Sequence, residues 1–350
     1  MKAREYFTQS GKAAKEKAAK FFASLHLCVK YSFLLIVFAS CTHKPSGPLA
    51  FVTNERDGTI TVIDTKTDTV YSTIKLGGRL RGIRLSPDKQ RIWVAISYPT
   101  NQSQGEDKIA ELDLNGNIVA RYEAGTDPEN FVIDDNATRL YIANEDAGTA
   151  SITDVKANRV IASMPVGLEP EGAAMSPDGR WVYITSESSS SVSVIDTRSG
   201  EVVKQFLVGA RPREAVFTAD SARAYITAEN GNVVSVVDTK DHSVVRTVQL
   251  PRGDGPAQLK PKGVVVSPDG KRVYVATGRG NSVAVIDGEQ LAFITLIPVG
   301  QRPWGIALTP DGRKLYTANG LSNDVTVIDT GTNKVVATVK AGDGPWGIAL

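Results

Sequence analysis

The residues best suited to chemistry in this 350-residue chain recur at one position of a repeated pattern. Just before a slot that is usually Gly, the side chain changes from copy to copy between acidic, basic and aromatic types. Carboxylates can serve in acid–base catalysis, Arg binds carboxylates through paired donors, and Trp packs against planar rings. In repeat order these residues are Trp346, Arg81, Glu129, Glu171, Arg213, Lys262 and Trp304.

A second set of residues, two positions earlier, repeats the same grouping of charge. It reads Gly344, Arg79, Asp127, Glu169, Arg211, Lys260 and Arg302. Repeats 3 and 4 are acidic, repeats 5, 6 and 2 are basic, and repeats 7 and 1 bring two Trp residues together. The alternative interpretation is that the charges neutralise one another across repeat boundaries while the Trp pair packs the closure. Our predicted ligand site consists of Trp304, Trp346, Arg81, Arg213, Lys262, Arg302, Glu129 and Glu171.

Four glutamates share a third repeated position and could form a cation-binding rim. Clustered carboxylates suit hard cations, but Arg213 and Lys262 are close enough in the pattern to pair with them instead. We favour pairing, and we therefore predict no metal site. The four residues are Glu55, Glu145, Glu187 and Glu229.

The sequence lacks the residue sets of the common catalytic centres. Its three histidines are His26, His43 and His242, and only His242 falls inside the repeats. There is no His pair for a metal, no Ser-His-Asp set and no phosphate-binding Gly loop. We therefore predict no catalytic residues and no enzymatic activity.

These positions belong to seven copies of a unit of about 42 residues. In the last copy, residues 305–309, 314–318, 325–329 and 334–339 read as four short strands, and Pro310-Asp311-Gly312 supplies a turn. Seven such units predict an all-β fold, a seven-bladed β-propeller with four antiparallel strands per blade. Each copy is marked by one aromatic residue, namely Phe51, Trp93, Tyr141, Tyr183, Tyr225, Tyr274 and Tyr316.

The two ends of the repeat region complete one blade, so residues 49–350 form a single domain. Residues 346–350 match only the first strand of a unit, whereas residues 49–53 match the second strand. We expect the C-terminal strand to pair in the first blade and close the ring. We name the strands A to D from the channel outward, and call the face with the D-to-A connections and B-to-C loops the top face. Two insertions, residues 97–107 and 251–259, fall on it.

Residues 1–41 read as a signal or targeting segment rather than as part of the ring. An apolar run over residues 31–39 follows Lys30 and suits a signal peptide. The sequence Phe38-Ala39-Ser40-Cys41 resembles a lipobox, which predicts lipidation at Cys41. The alternatives are an ordinary secretory signal and a translation start placed too early. Residues 42–48 read as a tether, and we predict a periplasmic, lipid-anchored protein, with the outer membrane favoured.

The charge distribution argues against nucleic-acid binding. The chain has a net charge of +2, but residues 1–41 hold seven Lys or Arg and two Glu, and therefore contribute +5. The remainder holds 33 basic and 36 acidic residues and is mildly acidic at −3. We thus predict that the protein contacts the membrane only through its lipid anchor and binds no nucleic acid.

The segments FVTNERDGTITVIDT and YIANEDAGTASITDV, with the SPDG turns, resemble the YVTN family of β-propeller repeats over about residues 49–350. The order of DPENFVID, EPEGAAMSPDG, RPREAVFTAD and the terminal PWG is similar to the seven-repeat PQQ-dependent catabolism-associated propellers. This resemblance implies export and a link to quinoprotein alcohol oxidation and its transporter, and it assigns no catalytic residue. Haem d1 propellers are wider relatives, but the channel lacks a His for that ligand.

Three functions follow as hypotheses. We predict a non-catalytic, monomeric accessory protein that binds an envelope partner or a small anionic aromatic ligand at the top face, and pyrroloquinoline quinone (PQQ) fits the Arg, Lys and Trp residues. The first alternative is a lactonase-like hydrolase that uses Glu129, Glu171 or the Glu55 group, by analogy of fold alone. The second is a structural scaffold of an envelope complex.

Overall fold

The computed structural model describes residues 45–98, 106–252 and 258–350. Within these ranges the chain forms seven antiparallel sheets of four strands each and no helix. The predicted all-β, seven-bladed propeller is therefore confirmed. None of the described segments is a helix long and apolar enough to cross a membrane. The predicted signal segment (residues 1–41, with Cys41), residues 42–44 of the predicted tether, and residues 99–105 and 253–257 of the two insertions lie outside the described residues.

The strands of the first four blades are β1 (Leu49–Asn54), β2 (Thr59–Asp64) and β3 (Thr69–Lys75); β4 (Arg79–Leu85), β5 (Arg91–Ser97), β6 (Lys108–Asp113) and β7 (Ile118–Glu123); β8 (Pro128–Ile133), β9 (Arg139–Asn144), β10 (Thr149–Asp154) and β11 (Arg159–Pro165); β12 (Pro170–Met175), β13 (Trp181–Ser186), β14 (Ser191–Asp196) and β15 (Glu201–Leu207).

The remaining strands are β16 (Pro212–Phe217), β17 (Arg223–Ala228), β18 (Val233–Asp238) and β19 (Ser243–Gln249); β20 (Pro261–Val266), β21 (Arg272–Thr277), β22 (Ser282–Asp287) and β23 (Ala292–Pro298); β24 (Pro303–Leu308), β25 (Lys314–Asn319), β26 (Asp324–Asp329) and β27 (Lys334–Lys340); and β28 (Pro345–Ala349).

The C-terminal strand completes blade 1, as the sequence predicted. Strand β28 pairs antiparallel with β1, so that Phe51 lies opposite Ala349 and Val52 opposite Ile348. The order of that sheet is β28-β1-β2-β3. The edge of β1 that faces the channel is therefore covered by β28.

The repeated aromatic residue holds neighbouring blades together. It is 0–3 % exposed in all seven blades, at the centre of strand B. Three of the tyrosine hydroxyls also reach the next blade. Tyr183 bonds Nδ1 of His242 at 2.7 Å, Tyr225 donates to the carbonyl of Gly288 at 3.3 Å, and Tyr316 donates to Asp68 at 2.5 Å. Buried aromatic area with a satisfied hydroxyl stabilises these three junctions.

Every outer strand carries a register shift against strand C. In blade 1, Val62 lies opposite Ser72 and Ile63 opposite Val70, which leaves Tyr71 as an extra residue. The same shift recurs in the other six blades. Such bulges twist an exposed edge away from a flat, pairable geometry.

Candidate functional site

The ring of variable residues sits where strand A leaves the regular ladder with strand B. In blade 5, Pro212 pairs with Ala228 and Ala215 with Ile226, so Arg213 and Glu214 have no partner in register. The same skip occurs in blades 4, 6 and 7. A bulge turns side chains away from the pleat direction, and here it lies along the residues that face the channel.

Close approach of neighbouring A strands explains the Gly that follows most of these residues. A Cβ added to Gly305 would lie 2.3 Å from the carbonyl oxygen of Trp346, and one added to Gly172 would lie 2.4 Å from that of Arg213. Five blades keep Gly at this position, whereas blade 3 has Asn130 and blade 5 has Glu214.

Threonines of strand B fix two of the site residues from the preceding blade. The amide of Gly172 donates to Thr185 Oγ1 at 2.8 Å, and this hydroxyl donates to the carbonyl of Arg213 at 3.0 Å. Thr227 donates in the same way to the carbonyl of Lys262. The backbone positions of the two cations are therefore set by direct bonds across blade junctions.

Blades 4 to 6 contribute a buried ion-pair cluster. Lys262 Nζ lies 2.6 Å from Glu171 Oε1, and Arg213 Nη1 lies 3.2 Å from Glu171 Oε2. Arg213 also contacts Glu187, and its Nε lies 3.5 Å from Glu229. The Glu171, Lys262 and Arg213 side chains are only 5–6 % exposed. Charge-assisted bonds of this kind are strong and hold their partners in place.

The two Trp residues pack on the cations of this cluster. Lys262 Nζ lies 4.0 Å from the ring centroid of Trp304 and 4.1 Å from that of Trp346, and Arg302 lies 4.4 Å from Trp304. Burial, reinforced by nearby Arg213, lowers the pKa of Lys262 to about 8, although Glu171 opposes the shift. Burial disfavours ionisation of Glu171, but Arg213 and Lys262 outweigh it and hold its pKa below the ordinary range.

Blades 1 to 3 contribute a second, more acidic cluster. Arg81 contacts Glu129 and lies 3.2 Å from both Glu55 and Glu145. Oxygens of Asp127, Glu129 and Glu145 all lie within 4.8 Å of one another. Burial, followed by the charges of Glu171 and Asp127, raises the pKa of Glu145 to about 7. The guanidinium of Arg81 already occupies the position of a cation beside these carboxylates.

The predicted site residues therefore fall into two groups. Glu171, Arg213, Lys262, Arg302, Trp304 and Trp346 lie together, whereas Arg81 and Glu129 belong to the second cluster. The sequence placed these side chains as a ligand site at the top of the channel, with mutual neutralisation of their charges as the alternative. In the structure Arg81, Glu129, Glu171, Arg213 and Lys262 are each 3–7 % exposed, because they pair with one another beneath the top face.

A cavity of about 630 Å³ lies inside the channel, next to the ion-pair cluster of blades 4 to 6. Glu171, Arg213, Lys262, Trp304 and Trp346 form one end of it, which we call the closed end. From there the cavity extends along the A strands to the A-to-B turns on the opposite face, where it is lined by residues including Pro87, Asp135 and Pro177.

Two charged residues that the sequence analysis did not single out line the middle of this cavity. Glu214 takes the Gly position of blade 5, and Arg84 follows the Gly of blade 2 by two residues. Burial raises the pKa of Glu214, although Arg84 and Lys262 partly oppose it. Burial also lowers the pKa of Arg84, against the influence of Glu214. The departure from Gly in blade 5 was the available signal.

This arrangement brings together groups of the kinds that hydrolysis requires. A carboxyl group with a raised pKa is a suitable general base near neutral pH. Arg84, Arg213 and Lys262 lie along the same cavity, where fixed cations can stabilise negative charge that develops on a reacting oxygen.

The fold and the channel define a seven-bladed β-propeller with a cavity along its axis. Residues 201–345 match the family model "Lactonase, 7-bladed beta-propeller". No curated protein matches the chain. This match contradicts the expectation that the protein is not an enzyme, and that expectation is withdrawn.

Several solved structures share the fold. Hydrazine synthase of Kuenenia stuttgartiensis is 22 % identical, with a TM-score of 0.70 over 82 % of this chain and 93 % of that one. A putative 6-phosphogluconolactonase of Bacteroides fragilis NCTC 9343 is 16 % identical, with a TM-score of 0.70 over 87 % and 98 %. The dihydro-heme d1 dehydrogenase NirN is 16 % identical, with a TM-score of 0.62 over 87 % and 77 %. At these identities the likeness is one of fold.

Proposed function

We propose that the chain is a hydrolase that opens cyclic esters, or lactones, inside the central channel. The observation that carries the proposal is Glu214, a carboxyl with a raised pKa on the wall of a cavity whose closed end holds Arg213 and Lys262. The match of residues 201–345 to the lactonase model supports the same reaction class. This is the alternative that the sequence analysis kept open, with a different carboxylate.

The reaction needs a base, a stabiliser of negative charge and an acid. Ionised Glu214 takes a proton from water as the water oxygen adds to the lactone carbonyl. Arg213 and Lys262 stabilise the resulting oxyanion. The ring C–O bond then breaks, and protonated Glu214 returns its proton to the leaving oxygen. The product is a hydroxy acid, which releases its acidic proton to solvent, and the resulting carboxylate lies beside the same cations.

Glu171 is suited to a positioning role rather than to proton transfer. Its oxygens are bound to Lys262 and Arg213, and its pKa lies below the ordinary range. Glu129, also considered as a catalytic carboxylate, pairs with Arg81 and is not among the residues that line the cavity. Glu214 is therefore the base that we favour.

The proposal is tested by acid release from simple γ- and δ-lactones. Glu214→Gln keeps the size of the side chain but removes the base, so we expect kcat to fall roughly 10²–10⁴-fold. Glu201→Gln, on the exposed start of β15, is the matched control. Melting curves show whether each variant is folded. Hydrolysis by folded Glu214→Gln at the wild-type rate would rule out this mechanism.

The link to PQQ-associated propellers, lipidation of Cys41 and an envelope location remain predictions. A planar ligand that stacks between Trp304 and Trp346 would have to displace Lys262. Calorimetric titration of PQQ into the wild type and into variants with Arg81→Ala or Arg213→Ala tests that ligand directly. Peptide mapping of the mature protein tests Cys41.

A further inference from the structure

Seven apolar side chains, one from each blade, surround the half of the channel away from the ion pairs. Each lies at or just past the end of strand A, and all seven line the cavity. Six of them are partly exposed, and Phe217 is 6 % exposed. We call this set the apolar collar, and it consists of Leu85, Ile133, Met175, Phe217, Val266, Leu308 and Leu350.

The wall between the collar and Glu214 is also largely apolar. In six blades the cavity is lined just above the collar by Val132, Ala174, Val216, Val265 and Ala307, with Arg84 as the charged exception. Each collar side chain also packs against the apolar core between blades, and the part that faces the cavity favours contact with an apolar ligand over contact with water. The collar leaves space instead of packing shut.

The cavity is therefore amphipathic along its length. Glu171, at the closed end, and Met175, in the collar, are four residues apart on β12, a separation of roughly 13 Å at about 3.3 Å per residue. Cationic groups concentrate toward the closed end, where Arg213 and Lys262 lie. A matching ligand has a polar or anionic head and an apolar chain.

We propose that the channel takes aliphatic lactones, with the ester head near Glu214, Arg213 and Lys262 and an unbranched alkyl chain over the apolar collar. The hydrolysis part rests on the proposed function, whereas the alkyl-chain part rests on the collar alone. The product is a hydroxy-carboxylate with an alkyl chain. A polyhydroxylated or phosphorylated sugar lactone offers no apolar part to the collar.

The first test is a series of δ-lactones that carry no side chain, or a propyl, pentyl or heptyl chain. Each buried methylene contributes about 0.8 kcal/mol, so we expect kcat/KM to rise about fourfold per methylene until the collar is filled. Leu308→Ser and Leu85→Ser should flatten this dependence. Leu321→Ser, an exposed side chain on the B-to-C loop of blade 7, is the matched control and should leave it intact.

The second test measures binding without catalysis. Calorimetry with butyrate, octanoate and decanoate on the full chain should show affinity that rises with chain length and that Leu308→Ser weakens. Should Leu308→Ser fail to melt cooperatively, Val266→Thr serves in its place. Binding that rises with chain length, together with no lactone turnover, would support the collar and reject the proposed hydrolase.

The opposite pattern separates the two ideas. Lactone hydrolysis that is independent of chain length, with no decanoate binding, would overturn the collar proposal and leave the hydrolase standing. Absence of both hydrolysis and decanoate binding would reject both.

Discussion

At the scale of single residues, the A strands of blades 4 and 5 carry two carboxyl groups whose pKa values are shifted in opposite directions. Glu171 is bound to two cations and its pKa is lowered, whereas Glu214, which takes a Gly position, has a raised pKa. Pairs of carboxyl groups pushed apart in this way mark a division of roles, one fixed in charge and one able to exchange a proton.

The pH dependence of lactone hydrolysis should be bell-shaped. Activity needs ionised Glu214, so it falls on the acid side as pH drops through a pKa above 4.5. It also needs charged Lys262, so it falls above about pH 8. Lys262→Arg keeps the charge at high pH, and we expect it to remove the alkaline limb of kcat/KM. If the alkaline limb is unchanged in this variant, a group other than Lys262 causes it.

Gly305→Ala should destabilise the ring. Its Cβ would lie 2.3 Å from the carbonyl of Trp346, so the two A strands must separate, at a cost of about 1–3 kcal/mol. Gly331→Ala is the control, because its Cβ would lie 3.5 Å from the nearest atom, Asp329 Oδ1. Urea unfolding compares the two. Equal urea midpoints for the two variants would show that the A strands can separate at little cost in stability.

At the scale of elements, the C-to-D turn of blade 5 docks on blade 4 through His242. Its Nδ1 is hydrogen-bonded to the hydroxyl of Tyr183 at 2.7 Å. Its ring is perpendicular to that of Trp181, with 4.7 Å between the ring centroids. Burial lowers the pKa of His242 below 6.5, and Lys204 adds to this shift. The folded chain therefore favours the neutral ring.

This turn predicts a specific loss of stability in acid. Because the unfolded chain binds the proton more readily, the contribution of His242 is complete above pH 6.5 and is lost as pH falls below it. His242→Asn introduces a residue that tolerates the left-handed backbone, because blades 3 and 7 have Asn158 and Asn333 at the same position. We expect the variant to lose less stability than the wild type between pH 7 and pH 5.5. Identical losses, measured by urea unfolding, would contradict this role.

Because the closing strand contacts three blades, we expect removal of residues 345–350 to destabilise more than one blade. Strand β28 pairs with β1 and packs between the A strands of blades 7 and 2. We expect a loss of more than about 3 kcal/mol, since Ile348 alone accounts for about 1.5–3 kcal/mol. A Gly-Ser extension after Leu350 is the control. A truncated chain that melts like the extended one would show that closure contributes little.

At the scale of the whole molecule, the cavity points to one route of access. Buried ion pairs lie beneath the top face, whereas A-to-B turns line the other end of the cavity. Pro87 is an exposed part of that end, and Leu321 is exposed on a B-to-C loop.

A bulky maleimide tests that route in a chain with Cys28→Ser and Cys41→Ser. Labelling of Pro87→Cys should block lactone turnover and decanoate binding. Labelling of Leu321→Cys should leave both intact. The reverse pattern would place the entrance at the top face.

Repetition explains why the ring could be predicted and much of the site could not. The spacing of Tyr183, Tyr225 and the other aromatics determines strand B in every blade, and the incomplete units at both ends determine closure. The bond from Lys262 to Glu171 instead joins residues 91 apart, and it depends on side-chain directions that a bulge sets. Glu214 was missed because its position, which is Gly in five blades, was considered only for its backbone. The Glu at that position in blade 5 was nevertheless visible in the sequence.

The closure of blade 1 also has a consequence for the time course of biosynthesis. Thr53 and Gly347, which bond across this blade, are 294 residues apart. At about 5–20 residues per second, a ribosome needs roughly 15–60 s to travel between them. Throughout that interval the inner edge of β1, with Phe51 and Val52, has no strand to pair with. Until β28 emerges, that edge is open to pairing with other unpaired strands.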